Sequence, residues 1–201
     1  LGLPPKLAPI QVVIVPIYRS DEERHAVAKA IEPIVAQLQE VDIRVHFDNR
    51  DTHKPGFKFN EYELKGVPLR IGIGPRDVAN STVELARRDT LTKKSVLQSD
   101  LVAEIKQTLE EIQIALFERA KIFRTEHTTE VSSFEEFKSV LETKGGFISA
   151  FWDGTEETET AIKEATKATI RCIPLDVISE SGSCVYSGKP ANHRVLFAKA
   201  Y

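Results

Sequence analysis

The sequence predicts an α/β protein: a mixed sheet packed by helices, followed by a second, smaller α/β unit. Three observations predict it. Ile10–Ile17 (IQVVIVPI) is a continuous, β-branched apolar run of the kind a strand shows when both its faces are covered. Two longer stretches, Val27–Leu38 and Leu101–Phe123, carry apolar residues at helical spacing. The order of these signals is strand, helix, strand, loop, three strands and a long helix, which calls for a sheet with helices packed on it.

Each element has its own signal. After the first strand, Ser20 with Glu23 three residues on makes a capping box. The helix behind it aligns Val27, Ile31, Ile34, Val35 and Leu38, and Pro33 inside it predicts a kink or a split. Asp42–Phe47 alternates as a strand, and residues 48–66 read as a polar loop with Pro55-Gly56 as a turn and one short helix near Asn60–Lys65. Val67–Ile73 is the next strand. Thr82–Arg87 and Lys94–Gln98 form a hairpin about Asp89, and Ser99 caps a helix from about Asp100 to Arg124, its stripe being Leu101, Ile105, Leu109, Ile112, Leu116 and Phe123. Residues 125–132 are polar and aperiodic and mark a boundary. Beyond it come a helix at Phe134–Thr143, Gly145-Gly146, a strand at Phe147–Trp152, an acidic helix at Thr155–Thr166, strands at Thr169–Ile173 and Val195–Ala198, and a Gly/Ser/Pro-rich loop at Ser179–Asn192.

Composition narrows the function. With 201 residues, 41% hydrophobic and 28% charged, the chain is ordinary for a soluble globular protein. No apolar run approaches the roughly 20 residues a membrane span needs. The start, LGLPPKLAP, is no signal peptide, and it lacks an initiator Met in a chain with no Met at all, so a piece of a longer polypeptide is expected. Two cysteines, Cys172 and Cys184, make no disulfide framework and point to a cytoplasmic compartment. The net charge of −3 argues against a general polyanion binder, yet residues 44–94 hold 11 cations against 7 anions, a local basic face.

The densest chemistry lies in Phe57–Asp77, FKFNEYELKGVPLRIGIGPRD. Aromatics stack on unpaired bases, cations hold phosphates, and carboxylates and arginine address base edges. One helical turn over residues 59–63 places Phe59 beside Glu63, so Phe59 is the expected stacking face and Phe57 the expected anchor to the core. Gly72–Asp77 (GIGPRD) is read as a tight turn presenting Arg76 and Asp77 at a strand end. It does not fit a dinucleotide fingerprint, and Pro75 removes an N–H that a phosphate cradle would use. The five histidines are scattered without metal or acid–base spacing, and no Ser/His/Asp group can be assembled from spacing.

LPPKLAPIQVVIVPI, DNRDTHKPGFKFNEYELKGVPLRIGIGPRD and ATKATIRCIPL with GKPANHRVLFAKAY together resemble the C-terminal half of prolyl-tRNA synthetases, in the archaeal/eukaryote-like form with a C-terminal extension. The resemblance covers essentially the whole chain. It implies an exit segment of a catalytic domain at residues 1–8, a class II synthetase anticodon-binding domain at 9–125 with a five-stranded mixed sheet and flanking helices, and a small α/β zinc-binding-like domain at 126–201. It implies that two guanines of the proline tRNA anticodon are read here, by Phe59, Glu63, Arg70, Arg76 and Asp77. Glu63 and Asp77 would accept from guanine edges, and Arg70 and Arg76 would donate to bases or phosphates. Relatives often carry Lys in place of Arg76, which keeps the charge and loses the fork.

No catalytic residue is expected in these positions. Ligation of proline to tRNA, with its ATP and Mg, would belong to the preceding catalytic domain, and the parent would be a homodimer. The family's zinc ligands fall on Asp153, Thr158, Cys184 and Ser187, so only one cysteine remains and zinc is not expected. The terminal Tyr201 would tuck towards the catalytic centre. The alternatives are a nucleotide-binding module using Gly72–Asp77, or a dimerisation module using the long helix.

Overall fold

The computed structural model describes residues 2–175 and 180–200, and divides into two compact units, residues 1–118 and 119–201. The first runs β1 (Val12–Pro16), α1 (Asp21–Glu40), β2 (Val45–Phe47), α2 (Pro55–Leu64), β3 (Leu69–Ile73), α3 (Pro75–Asn80), β4 (Thr82–Arg87), β5 (Lys93–Leu97) and a 3-10 turn (Gln98–Asp100) leading into α4 (Leu101–Glu126). The five strands form one sheet in the order β2-β1-β3-β4-β5. β1 is parallel to both neighbours, and β3-β4-β5 is an antiparallel meander, so the expected mixed five-stranded sheet is present.

The alternation of side chains assigns the two faces. Val12, Ile14, Leu69, Ile71, Ile73, Val83 and Leu85 point to one side and pack against Val27, Ile31, Ile34 and Leu38 of α1 and Leu101, Ile105, Leu109 and Ile112 of α4. Val13 and Val15 point to the other, under Tyr62, Val67 and Phe59. β1 is thus covered twice, the physical reason its sequence is apolar without alternation.

Several elements differ from expectation. Pro33 lies within one continuous α1, on its exposed side, where solvent can serve the carbonyl left without a partner. Ser20 caps that helix as expected, accepting from Glu23 N–H at 3.2 Å, while the Glu23 carboxylate accepts from Arg19 N–H. Pro55-Gly56 is not a turn but the start of α2. Lys54 before it is extended (φ −67°, ψ 153°) and Pro55 opens the first turn, where a missing N–H costs nothing. Ser99 does not cap α4; its hydroxyl donates to Asp100. Phe123 is no part of the core stripe: it is 59% exposed and stacks on His127 at 3.9 Å.

The second unit contains β6 (Thr128–Glu130), α5 (Phe134–Thr143), β7 (Phe147–Phe151), α6 (Glu156–Thr166), β8 (Ala168–Cys172), the short pair β9 (Gly182–Ser183) and β10 (Pro190–Ala191), and β11 (Arg194–Lys199). Its sheet is β6-β7-β11-β8, over a core of Phe137, Ile148, Ile162, Val195 and Phe197. β6 lies where only a polar connector was expected, and the division at Glu118/Arg119 falls before that connector, inside α4. Gly146 adopts φ +81°, and a Cβ there would lie 2.4 Å from the His127 carbonyl oxygen, so the chain turns into β7 only with glycine. The expectations for Ser179 and Tyr201 lie outside the described residues.

Candidate nucleic-acid interface

The chemistry concentrates on the sheet face that α2 covers in part. α2 seats Tyr62 and Phe59 over β1 and β3, and the same face continues onto β4 and β5 through Glu84, Ala86, Lys93 and Ser95. At the edge of α2 a cleft is lined by Phe59, Glu63, Arg70, Ala86 and Arg88, among others. Arg70 projects from β3 with its guanidinium 3.7 Å from the centre of the Phe59 ring, in cation–π contact. Its Nη1 donates to Glu84 Oε1 at 3.3 Å. Glu63 is exposed beside it, and its backbone carbonyl accepts from Arg88 Nε at 3.4 Å.

Three of the five expected residues, Phe59, Glu63 and Arg70, therefore line one cleft. Arg76 and Asp77 do not line it. They lie on α3, a six-residue helix where a tight turn was expected. Pro75 opens this helix, and the Asp77 carboxylate accepts the Gly74 N–H at 2.8 Å. One oxygen of Asp77 is thereby engaged in capping, and the glycine N–H that a nucleotide phosphate would need is taken. Arg76 is exposed at the same end of the sheet. Phe57 is not the expected anchor to the core. Phe57 is the open ring, 53% exposed and stacked on His53 at 4.3 Å, while Phe59 is half-buried beneath Arg70.

Glu84, Arg88 and Lys93 were not singled out from the sequence. The Glu84 side chain is 40% exposed and lies 3.3 Å from Arg70 and 3.4 Å from Lys93. The one available signal was their parity: with Arg70 on the face that α2 covers in part, the hairpin register puts Ala86 opposite Arg70 and Lys93 opposite Ala86.

A buried polar network fixes the site from below. Lys58 and Asp48 are each 1% exposed. Lys58 Nζ donates to the carbonyls of Asp48 and Arg50 and lies 3.5 Å from Asp48 Oδ1. Arg50 donates twice to the Asp48 carboxylate, at 2.9 and 2.6 Å, and once to Glu61 at 2.6 Å. Burial alone would raise the Asp48 pKa, but the hydrogen bonds from Arg50 and the charge of Lys58 outweigh it and hold the carboxyl well below its usual range. Burial, with Asp48 adding to it, pushes the Tyr62 phenol up to about 12. The loop before α2 is thus locked to the helix that carries Phe59 and Glu63.

In the second unit three of the four positions that the resemblance assigns to zinc, Asp153, Thr158 and Ser187, come together in a hydrogen-bonded knot. Asp153 Oδ2 accepts from Ser187 Oγ at 2.6 Å and from Thr158 Oγ1 at 2.9 Å; Oδ1 accepts from Thr155 Oγ1 at 2.9 Å. Hydroxyls replace thiolates, and the carboxylate lone pairs already have donors. Among the described residues no three His, Cys, Asp or Glu side chains cluster as metal ligands, and this donor set does not fit zinc. Burial works to raise the Asp153 pKa, but the hydrogen bonds from Ser187 and Thr155 bring it down to about 2. A depressed carboxylate contributes stability above its unfolded value near 3.8, lost as pH falls through the folded one. Two results are expected from thermal melts of the second unit. Asp153→Ala lowers the melting temperature by several degrees and flattens its acid dependence below pH 4, and a strong chelator leaves the parent's melting temperature unchanged. A chelator-induced fall would show that a metal is held there.

Comparison with known proteins agrees with this architecture. The family model described as the anticodon binding domain matches residues 11–108, and the one described as prolyl-tRNA synthetase, C-terminal, matches residues 134–201. Proline–tRNA ligases from Christiangramia forsetii, Flavobacterium johnsoniae and Flavobacterium psychrophilum are 59%, 57% and 58% identical over 201 residues, all of this chain and 41% of each relative. The chain spans about two fifths of the length of these curated relatives. With both models matched in order and the similarity spanning the whole chain, the chain belongs to the prolyl-tRNA synthetase family, of which it carries the anticodon-binding and C-terminal domains.

Proposed function

We propose that this chain is the tRNA-docking part of an enzyme that ligates proline to tRNA, and that it recognises the guanines of the proline tRNA anticodon. The observation that carries the reading is the Phe59–Arg70 stack at the rim of a cleft that Glu63 also lines. The ring and guanidinium offer a flat surface to an unstacked base, the guanidinium offers a donor fork to guanine O6 and N7, and the exposed carboxylate accepts from N1–H and N2–H. Arg76, exposed on α3, suits a phosphate, and Asp77 has one oxygen left beyond its cap.

Activation of proline with ATP and Mg belongs, on this reading, to a catalytic domain elsewhere in the parent protein, a cytoplasmic homodimer; the 201 residues alone are catalytically silent. The knot around Asp153 does the structural work of the family's zinc. No helix among the described residues is long and apolar enough to cross a membrane.

Equilibrium binding of the 201-residue chain to proline tRNA, and to the same tRNA with both anticodon guanines replaced, tests the reading. Each base contact is worth about 1–3 kcal/mol, so affinity should fall at least about tenfold on replacement. Equal affinity for the two RNAs would refute it.

A further inference from the structure

Glu84 sits in the middle of the open sheet face and has no part in the recognition scheme above. The pairing that places it is specific. Glu84 lies opposite Gly72 on β3 and Ser95 on β5, while Arg70, Ala86 and Lys93 form the adjacent row. Diagonal neighbours on one face of an antiparallel sheet are within reach of long side chains. The Glu84 carboxylate uses both diagonals: Oε1 is 3.3 Å from Arg70 Nη1 and 3.4 Å from Lys93 Nζ.

Small neighbours make room for this bridge. Ala86 separates Arg70 from Lys93 without obstructing either. A Cβ at Gly72 would already lie 3.5 Å from Arg70 Nη1 and 3.7 Å from Glu84 Oε1, so a longer side chain would wedge the pair apart. Arg70 is thereby held from two directions. The Phe59 ring lies against its guanidinium, and Glu84 takes one of its five N–H donors. The guanidinium is thus held at two points, by the ring and by the carboxylate.

We propose that Glu84 is a positioning residue for base discrimination. It turns the Arg70 fork towards a base edge and offsets the attraction of Arg70 and Lys93 for phosphate, so that Arg70 reads a guanine instead of gripping backbone. This rests on the anticodon reading above. It requires two opposed effects of one substitution, because removing a carboxylate strengthens general RNA binding while freeing Arg70 weakens selection.

The test is equilibrium binding of the 201-residue chain and its Glu84→Ala and Glu84→Gln variants. The ligands are an anticodon stem-loop with the two guanines and one with adenines in their place, each over a series of salt concentrations. Glu84→Ala is expected to bind the adenine stem-loop more tightly than the parent does, with a steeper decline in log affinity against log salt. Its preference for guanine should fall about tenfold. Glu84→Gln keeps an acceptor for Arg70 and should retain most of the preference. A purely structural Glu84 would shift both RNAs by one factor, so an unchanged guanine-to-adenine ratio in Glu84→Ala overturns the proposal. Absence of any preference in the parent chain would instead overturn the anticodon reading, and this proposal with it.

Discussion

Arg70→Lys lowers the affinity of the chain for the guanine-bearing anticodon stem-loop by about 10- to 100-fold and leaves binding of the adenine-substituted one within about twofold. The magnitude follows from what lysine cannot do. Its ammonium keeps the charge, so general attraction to phosphate persists. It has no planar face to lie on Phe59, where the guanidinium now sits at 3.7 Å, and no fork to give two parallel hydrogen bonds to O6 and N7. A bidentate contact to a base is worth about 1–3 kcal/mol, and each 1.4 kcal/mol is about a factor of ten. Fluorescence anisotropy with both RNAs measures the effect. A thermal melt separates it from misfolding, because Arg70 is largely buried and its loss must be shown not to unseat α2. A uniform loss on both RNAs would assign Arg70 to the backbone and not to a base.

Asp48→Ala has the largest expected effect on stability. It strands the Lys58 ammonium, 1% exposed, with only the carbonyls of residues 48 and 50 as partners. Removing one member of a buried ion pair costs about 3–5 kcal/mol, a large share of the total stability of a small domain. Arg50 would retain Glu61, so the outer part of the network survives and the damage falls on the inner part. Denaturant unfolding of the first unit should show the midpoint moving down sharply. Asp48→Asn, similar in shape and without charge, serves as a second variant. In the parent, the Asp48 contribution is fully present above the usual carboxylate range and declines as pH falls towards its depressed folded value. Both variants should flatten that acid limb. Because Lys58 directly precedes Phe59, the same variants should weaken guanine preference before the chain unfolds.

How much of this was legible in the sequence depended on whether a signal was local. β1 announced itself because a strand covered on both faces must be apolar throughout, and α1 because its cap and stripe lie within a few residues of one another. The start of α2 was missed because Pro-Gly serves a turn and a first helical turn equally well. Only the packing of Tyr62 and Phe59 over the sheet decides between them. α3 was read as a turn for the same reason: Gly-Pro permits both, and the Asp77 cap closes a helix. β6 is three residues of Thr and Glu held by parallel pairing with β7, with no apolar alternation to betray it.

The site divided along the same line. Phe59, Glu63 and Arg70 were identified by spacing and by resemblance, and they meet in the cleft. That Phe57 stays open while Phe59 lies against Arg70 could not be foreseen, because Arg70 reaches Phe59 across a strand and a helix. Glu84 was invisible for a sharper reason. It is fourteen residues from Arg70, and its place beside Arg70 and Lys93 is set by hairpin register, which follows from turn geometry and burial and from no motif.

The central claim is that Arg70 donates to the O6 of an anticodon guanine. A double-mutant cycle addresses it at the level of the atoms, pairing Arg70→Lys with replacement of a guanine by 2-aminopurine, which lacks O6. At one of the two guanines the two changes together are expected to cost little more than either alone, a coupling of about 1–3 kcal/mol. Strict additivity at both guanines would contradict it.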